Sequence, residues 1–316
     1  MIYILNTFDD MPHWYSGFCG ELYHGLDKIL GRHGVCGGAH SAFVMDLKDK
    51  DWILVTSHKD LDIAYLRETK AKVAYCHQGS GANPYFEYID DEKEQKQLQV
   101  VDLHLFTLPT FEKLVKERYN LKNTATIGFP LDLPSYDKYK LVKKRKKIVV
   151  SGHITPGKQF YLATYLLKDL IPEYEVWFSV IEREGGVTGT WSTFYDLQRF
   201  MDMGFKFTFN HPTQEKFYEF LSDASHVFTC SLADTIALPI VEGALCGCTP
   251  IVPNIRNYWG QYMDYTSYGY VPFAKENIQM LISNTWYMKE DITTPVVDTK
   301  WFDSKLVVER LLEVLK

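Results

Sequence analysis

Two carboxylates, Asp234 and Glu242, stand eight positions apart within VFTCSLADTIALPIVEGALCGCTPIV, residues 227–252. The segment reads as a buried strand, a polar loop, a helix start and a second buried strand. Pro239 suits a first helical turn, where its missing N–H costs nothing. Glu242 then falls early in the helix, near backbone donors that lack intrahelical partners. A loop feeding a helix N-terminus at a strand end suits phosphorylated ligands, whose charge the free N–H groups and the helix dipole stabilise. A second segment of this kind, SGHITPGKQ over residues 151–159, also joins a strand to a helix. Gly152 lets backbone approach a ligand closely. Lys158 stands at the helix entrance, where its charge and the neighbouring N–H groups suit a diphosphate. Alone, Lys158 reads as a surface lysine on a tight turn. With the Asp234–Glu242 loop on the same edge of one parallel sheet, it reads as part of a phosphate site.

Such a site needs strands that end together. In the first half, residues 2–6, 51–57, 71–78, 102–108 and 124–130 are short apolar runs that read as strands. Residues 17–34, 92–101 and 109–120 between them read as helices, the first with Leu22, Leu26, Ile29 and Leu30 on one face and Gly34 as its stop. In the second half, residues 147–154, 175–181, 205–209, 226–230 and 249–254 read as strands, and 158–170, 213–224 and 240–247 as helices. The alternation predicts an α/β protein with a mainly parallel sheet in each half. The expected division is a first domain over 1–142, a basic linker over 143–147, a second domain over 148–302 and a terminal helix over 303–316. The stretch YDKYKLVKKRKK, residues 136–147, reads as charged and free of core residues, with KKRKK as a solvated face.

Composition narrows the function classes. The 316 residues suit two domains of about 150 each. With 34 basic and 40 acidic residues the formal charge is −6, which gives no global attraction to nucleic acid or anionic lipid. The 15% aromatic content is read mainly as packing. The six cysteines lack metal-type spacing and read as reduced, buried small side chains of a cytoplasmic protein. No run reaches the roughly 18 apolar residues of a membrane span, and MIYILNTF reads as a strand rather than a basic leader.

The order of these features resembles the retaining nucleotide-sugar glycosyltransferases of the GT-B fold, in particular glycosyltransferase family 4. That family carries a strand, glycine, arginine and then lysine before a helix; here GHITPGKQ puts Lys158 at the lysine and His153 at the arginine. It then carries a glutamate, a glycine-rich turn, leucine-proline and a second glutamate. Here Asp234 takes the first glutamate position, Thr235, Ile236 and Ala237 replace the turn, and Glu242 matches the second. More loosely, HWYSGFCGELYHGLDKILGRHGV resembles the family's glycine-containing loop and first helix, and AYCHQ places His77 at a strand end where many members have histidine.

The resemblance implies two Rossmann-like domains with parallel sheets facing across a cleft and a C-terminal helix docking near the domain junction. It implies a nucleoside-diphosphate sugar donor, with Glu242 on the ribose hydroxyls and Lys158 with His153 on the diphosphate. Asp234 would take hydroxyls of the transferred sugar, Gly152 and the backbone N–H groups of Thr235, Ile236, Ala237 and Leu238 would face the donor, and His77 would lie near the sugar. Asp234, Lys158 and His77 are thus the catalytic candidates; His13, Trp14 and Gly17 are candidates on the acceptor side. Lysine and helix dipoles would carry the phosphate charge without metal, and the pairs Asp9-Asp10 and Asp90-Asp91 read as solvated loops. The acceptor is a glycan, a lipid-linked saccharide or a small molecule. The alternatives are modified DNA, as for phage-type enzymes acting on hydroxymethylated bases, and a non-catalytic nucleotide-sugar-binding module.

Overall fold

The computed structural model describes residues 2–6, 18, 21–23, 25–26, 34–37, 48–56, 66, 68–78, 91–140, 142–152, 158–180, 191–209, 211–231, 234–254, 269–270, 275–287 and 297–316. The chain forms two compact units, one of Met1–Leu133 with Thr299–Lys316, the other of Pro134–Asp298.

The first unit holds six parallel strands: β1 (Ile2–Asn6), β2 (Gly34–Gly37), β3 (Trp52–Val55), β4 (Lys72–His77), β5 (Leu103–Phe106) and β6 (Thr124–Thr126). Their order is β2-β1-β3-β4-β5-β6, so the direction of winding reverses at β1. Strands covered on both faces read as continuous apolar runs, and five of the six residues of β4 are buried. The Pro109–Tyr119 helix has proline in its first turn and a left-handed cap at Asn120, φ 52°, as its sequence implies.

The second unit repeats the plan with β7 (Arg145–Gly152), β8 (Glu175–Val180), β9 (Lys206–Phe209), β10 (Ala224–Phe228), β11 (Thr249–Pro253) and β12 (Gly269–Tyr270). Its order is β12-β11-β10-β7-β8-β9, again parallel. The core packs Ile148, Val176, Phe178, Phe228 and Ile251 of the sheet against Phe160, Ala163 and Leu167 of the Phe160–Leu167 helix and Ile278 and Ile282 of the Lys275–Tyr287 helix.

The basic stretch departs from its reading as a core-free linker. Residues 145–147 open β7 rather than precede it. Tyr136 and Tyr139 are buried. Two of the lysines are spent on internal partners: Lys147 Nζ donates to Asp223 Oδ1 at 2.7 Å and to the Phe220 carbonyl at 2.6 Å, and Lys144 Nζ donates to the Cys246 carbonyl at 2.6 Å, while Lys143 and Arg145 are exposed as the solvated-face reading expects. The run is therefore the strand's anchorage to the Gln214–Ser222 helix and the residues that follow it.

The Ser304–Val314 helix forms where the apolar spacing of the final segment places it. It belongs to the first unit rather than standing as a separate piece. Asp303 caps it, accepting from the Leu306 N–H at 3.1 Å. The helix buries Val307, Val308 and Leu311. Val308 lies over Gly25, where an added Cβ would come within 2.5 Å of it. Trp52 Nε1 donates to the Leu315 carbonyl at 2.9 Å. Among the described residues, β2, β12, the Trp191–Asp202 helix and the Lys275–Tyr287 helix carry no strong signal in the sequence. β2 is four residues, two of them glycine, and the Trp191–Asp202 helix opens on WSTFY, residues of modest helix propensity.

Candidate active site

In an open parallel sheet, ligands bind beyond the C-terminal strand ends where the winding reverses. In the second unit that point lies between β7 and β10, which pair directly with Val149 opposite Val227 and Val150 opposite Phe228. Both segments singled out in the sequence leave the sheet there. β7 ends at Gly152, whose φ of 148° disfavours any side chain. Among the described residues a Cβ at Gly152 would meet Lys158 Cδ, at 3.9 Å, an ordinary contact, and the backbone conformation itself calls for glycine. Lys158 and Gln159 lead into the Phe160–Leu167 helix, Gln159 with a left-handed φ of 54°.

From β10 the chain passes through Thr229, Cys230 and Ser231 towards Asp234. Cys230 is buried, and its thiol donates to the Gln159 carbonyl at 3.1 Å, tying the two loops together. Burial pushes that thiol up to about 12, so it stays protonated as a structural link. In the sequence Cys230 looks like any buried cysteine, and the pairing of the two loops is what gives it this structural role.

The two loops bring Lys158 and Asp234 together as an ion pair, Lys158 Nζ donating to Asp234 Oδ1. The side chains are 28% and 14% exposed, so a ligand can reach them while solvent screening is reduced. Beyond Asp234, Thr235 and Ala237 are buried and Ile236 half-buried, and the Ala237 carbonyl accepts from the Ile240 and Val241 N–H groups at 2.8 and 3.1 Å. The Leu238–Leu245 helix thus starts beside the pair, with Pro239 in its first turn and no side-chain cap on its N-terminus. Gly243 presses this helix against β10, since a Cβ there would lie 2.4 Å from Val227 Cγ1.

Glu242 departs from the setting expected beside backbone donors. It is 4% exposed and accepts from Tyr218 Oη at 2.8 Å and Gln214 Nε2 at 3.0 Å, both on the Gln214–Ser222 helix. Tyr136 Oη lies 2.8 Å from Tyr218 Oη and extends the network. Burial raises the Glu242 carboxyl to about 7 against the pull of these hydrogen bonds. None of the three supporting residues stands out in the sequence. At the same sheet edge Ser179 Oγ lies 3.1 Å from His211 Nε2.

His77, in the first unit, is fully buried at the end of β4. Its Nε2 lies 3.2 Å from His104 Nδ1 and its ring stacks on Phe106 at 4.4 Å. Burial, then the His104 charge, holds it well below the usual histidine range. These are the surroundings of a core histidine. His153, His13, Trp14 and Gly17 lie outside the described residues. The spacing Asp-x-Asp occurs in Asp49-Lys50-Asp51 and Asp60-Leu61-Asp62, which the metal-free expectation leaves out of account. Asp51 is structural, its Oδ2 accepting from the Lys48 N–H at 2.9 Å, and Asp60 and Asp62 lie outside the described residues.

No protein-family model matches the chain, and no curated protein matches it. Solved structures do. Anabaena HepE in complex with UDP-glucose superposes with a TM-score of 0.75 at 12% identity, covering 99% of this chain and 98% of that one. A glycosyltransferase from Rickettsia africae superposes with a TM-score of 0.74 at 12% identity, covering 100% and 97%. An alpha-glucosyltransferase in complex with UDP and a 13-mer DNA containing an HMU base superposes with a TM-score of 0.62 at 12% identity, covering 99% and 98%. At such identity the likeness is one of architecture, and the chain has the GT-B fold.

Proposed function

We propose that the protein is a glycosyltransferase that takes a sugar from a uridine-diphosphate donor and transfers it to an acceptor hydroxyl with retention of anomeric configuration. The observation that carries this reading is the Lys158–Asp234 pair at the β7–β10 switch point, with the uncapped helix N-terminus beside it. A cation, a carboxylate and the positive end of a helix dipole at one strand edge match the phosphate and sugar parts of a sugar diphosphate. Lys158 and the helix N-terminus hold the diphosphate, and Asp234 accepts hydrogen bonds from sugar hydroxyls. Glu242, buried and accepting from Tyr218 and Gln214, supports the nucleotide side of the site from within the core by holding the Leu238–Leu245 helix to the Gln214–Ser222 helix. The complexes of HepE with UDP-glucose support this choice of donor.

In the reaction the bond between the anomeric carbon and the diphosphate oxygen breaks, and its electron pair stays on that oxygen. Lys158 stabilises the charge that develops there, a contribution that acts mainly in the transition state. The acceptor oxygen attacks from the face that the leaving group vacates, and its proton passes to the departing phosphate. The acceptor we propose is a hydroxyl of a glycan, a lipid-linked saccharide or a small molecule. The DNA-bound neighbour offers the other acceptor class, but Lys144 and Lys147 are already engaged by internal carbonyls and Asp223.

The test is turnover of UDP-glucose with a panel of hydroxyl acceptors, with product anomers read by NMR. Sugar transfer with retained configuration is expected, reduced at least about a hundredfold in Lys158→Met. Tight donor binding without transfer or hydrolysis would instead mark a binding module.

A further inference from the structure

We propose that Asp234 makes this site discriminate between the sugar-bearing donor and the spent nucleotide, by competing with phosphate for Lys158. The inference rests on the donor reading above and adds a specificity role to it. In the free protein the Lys158 ammonium is already neutralised by Asp234. A diphosphate that takes Lys158 draws the ammonium from that carboxylate, or shares it, and in either case sets new negative charge beside Asp234, whose side chain is 14% exposed. A partly buried carboxylate deprived of its partner is costly unless other donors satisfy it.

The two nucleotides differ in what they return. A nucleoside-diphosphate sugar presents hydroxyls that donate to Asp234 as it gives up Lys158. The spent nucleotide presents none. Its terminal phosphate has also become a monoester, which carries more negative charge near neutral pH than the diester of the donor. The released nucleotide therefore meets an unsatisfied carboxylate and a stronger repulsion, whereas the donor meets neither in full. Asp234 thus weakens product relative to substrate and favours its departure after transfer. Aspartate suits this exchange in the free protein because its short arm reaches the lysine held on the neighbouring loop, which Cys230 ties in place.

The test is calorimetric titration of UDP and of UDP-glucose into the wild type, Asp234→Asn and Asp234→Glu. Asp234→Asn is expected to lower the ratio of the UDP to the UDP-glucose dissociation constant by about tenfold, the order set by one partly screened charge contact. Asp234→Glu keeps the charge and should hold the ratio within about threefold of wild type. Asp234→Ser supplies the same loss of charge should the asparagine variant fail to fold. An unchanged ratio in the charge-removing variants, with both ligands binding, overturns the discrimination and leaves the donor reading standing. Absence of binding to the wild type overturns the donor reading and this inference with it.

Discussion

Glu242 is a carboxyl held in the interior by hydroxyl and amide donors. Its folded value near 7 lies above the ordinary 4.5. The extra stability is therefore complete below about pH 4.5 and is lost as pH rises through 7, on the order of 3 kcal/mol at a shift of this size. His77 and His104 act oppositely: burial lowers both, His104 to about 4, so stability from their neutral forms is lost as pH falls from 6.5. Glu242→Gln isolates the first effect, because the histidines change both proteins alike. Between pH 5.5 and 8 the melting temperature of Glu242→Gln should gain about 5 °C on wild type. A difference that stays constant over that range would mean Glu242 is not held protonated by burial. The individual chemistry was half legible in the sequence. Lys158, Asp234 and Glu242 could be named because they follow strand ends in a recognisable order. Tyr136, Tyr218 and Gln214 could not, since each meets Glu242 or its partner through tertiary packing from a distant part of the chain. The Cys230 link between the loops escaped for the same reason.

At the scale of elements, the Leu238–Leu245 helix decides where the site lies, and Gly243 decides where the helix lies. The contact with Val227 on β10 leaves no room for a methyl group. Gly243→Ala should destabilise the second unit by about 1–3 kcal/mol through overpacking, despite alanine's better helix propensity. Shortening the opposing side chain reopens the space. In denaturant titrations Gly243→Ala/Val227→Ala should therefore be more stable than the sum of the single variants by at least about 1 kcal/mol. Simple additivity would show that the helix does not bear on β10 at this glycine. The strands around the site were readable, because Ile148 and Val149 with the half-buried Val150 in β7, and HVF in β10, are apolar runs typical of a parallel sheet. The boundary at β7 was not. Arg145, Lys146 and Lys147 are charged, yet each finds a carboxylate on a neighbouring element: Arg145 with Glu175, Lys146 with Glu173 and Lys147 with Asp223. Charge patterning marks such residues as solvated when their partners are remote in sequence.

Over the whole molecule, two parallel sheets of like design give each unit its own switch point, at β1 in the first and between β7 and β10 in the second. Alternating strands and helices made this two-sheet plan visible from the sequence. The return of the final helix to the first unit was not, because an amphipathic stripe states that a face is buried without stating against what. Gly25 and Trp52 supply that answer only in the folded chain. The net charge of −6, the carbonyl contact of Lys144 and the ion pairs of Arg145, Lys146 and Lys147 leave phosphate recognition to a local site rather than to a basic surface. Donor binding should accordingly depend on one lysine. The most direct measurement is calorimetric titration of UDP-glucose into wild type and Lys158→Met. Saturable one-site binding to the wild type is expected, with a loss of affinity of at least about tenfold in the variant. Equal affinity in the two proteins, or no binding to the wild type, would contradict it.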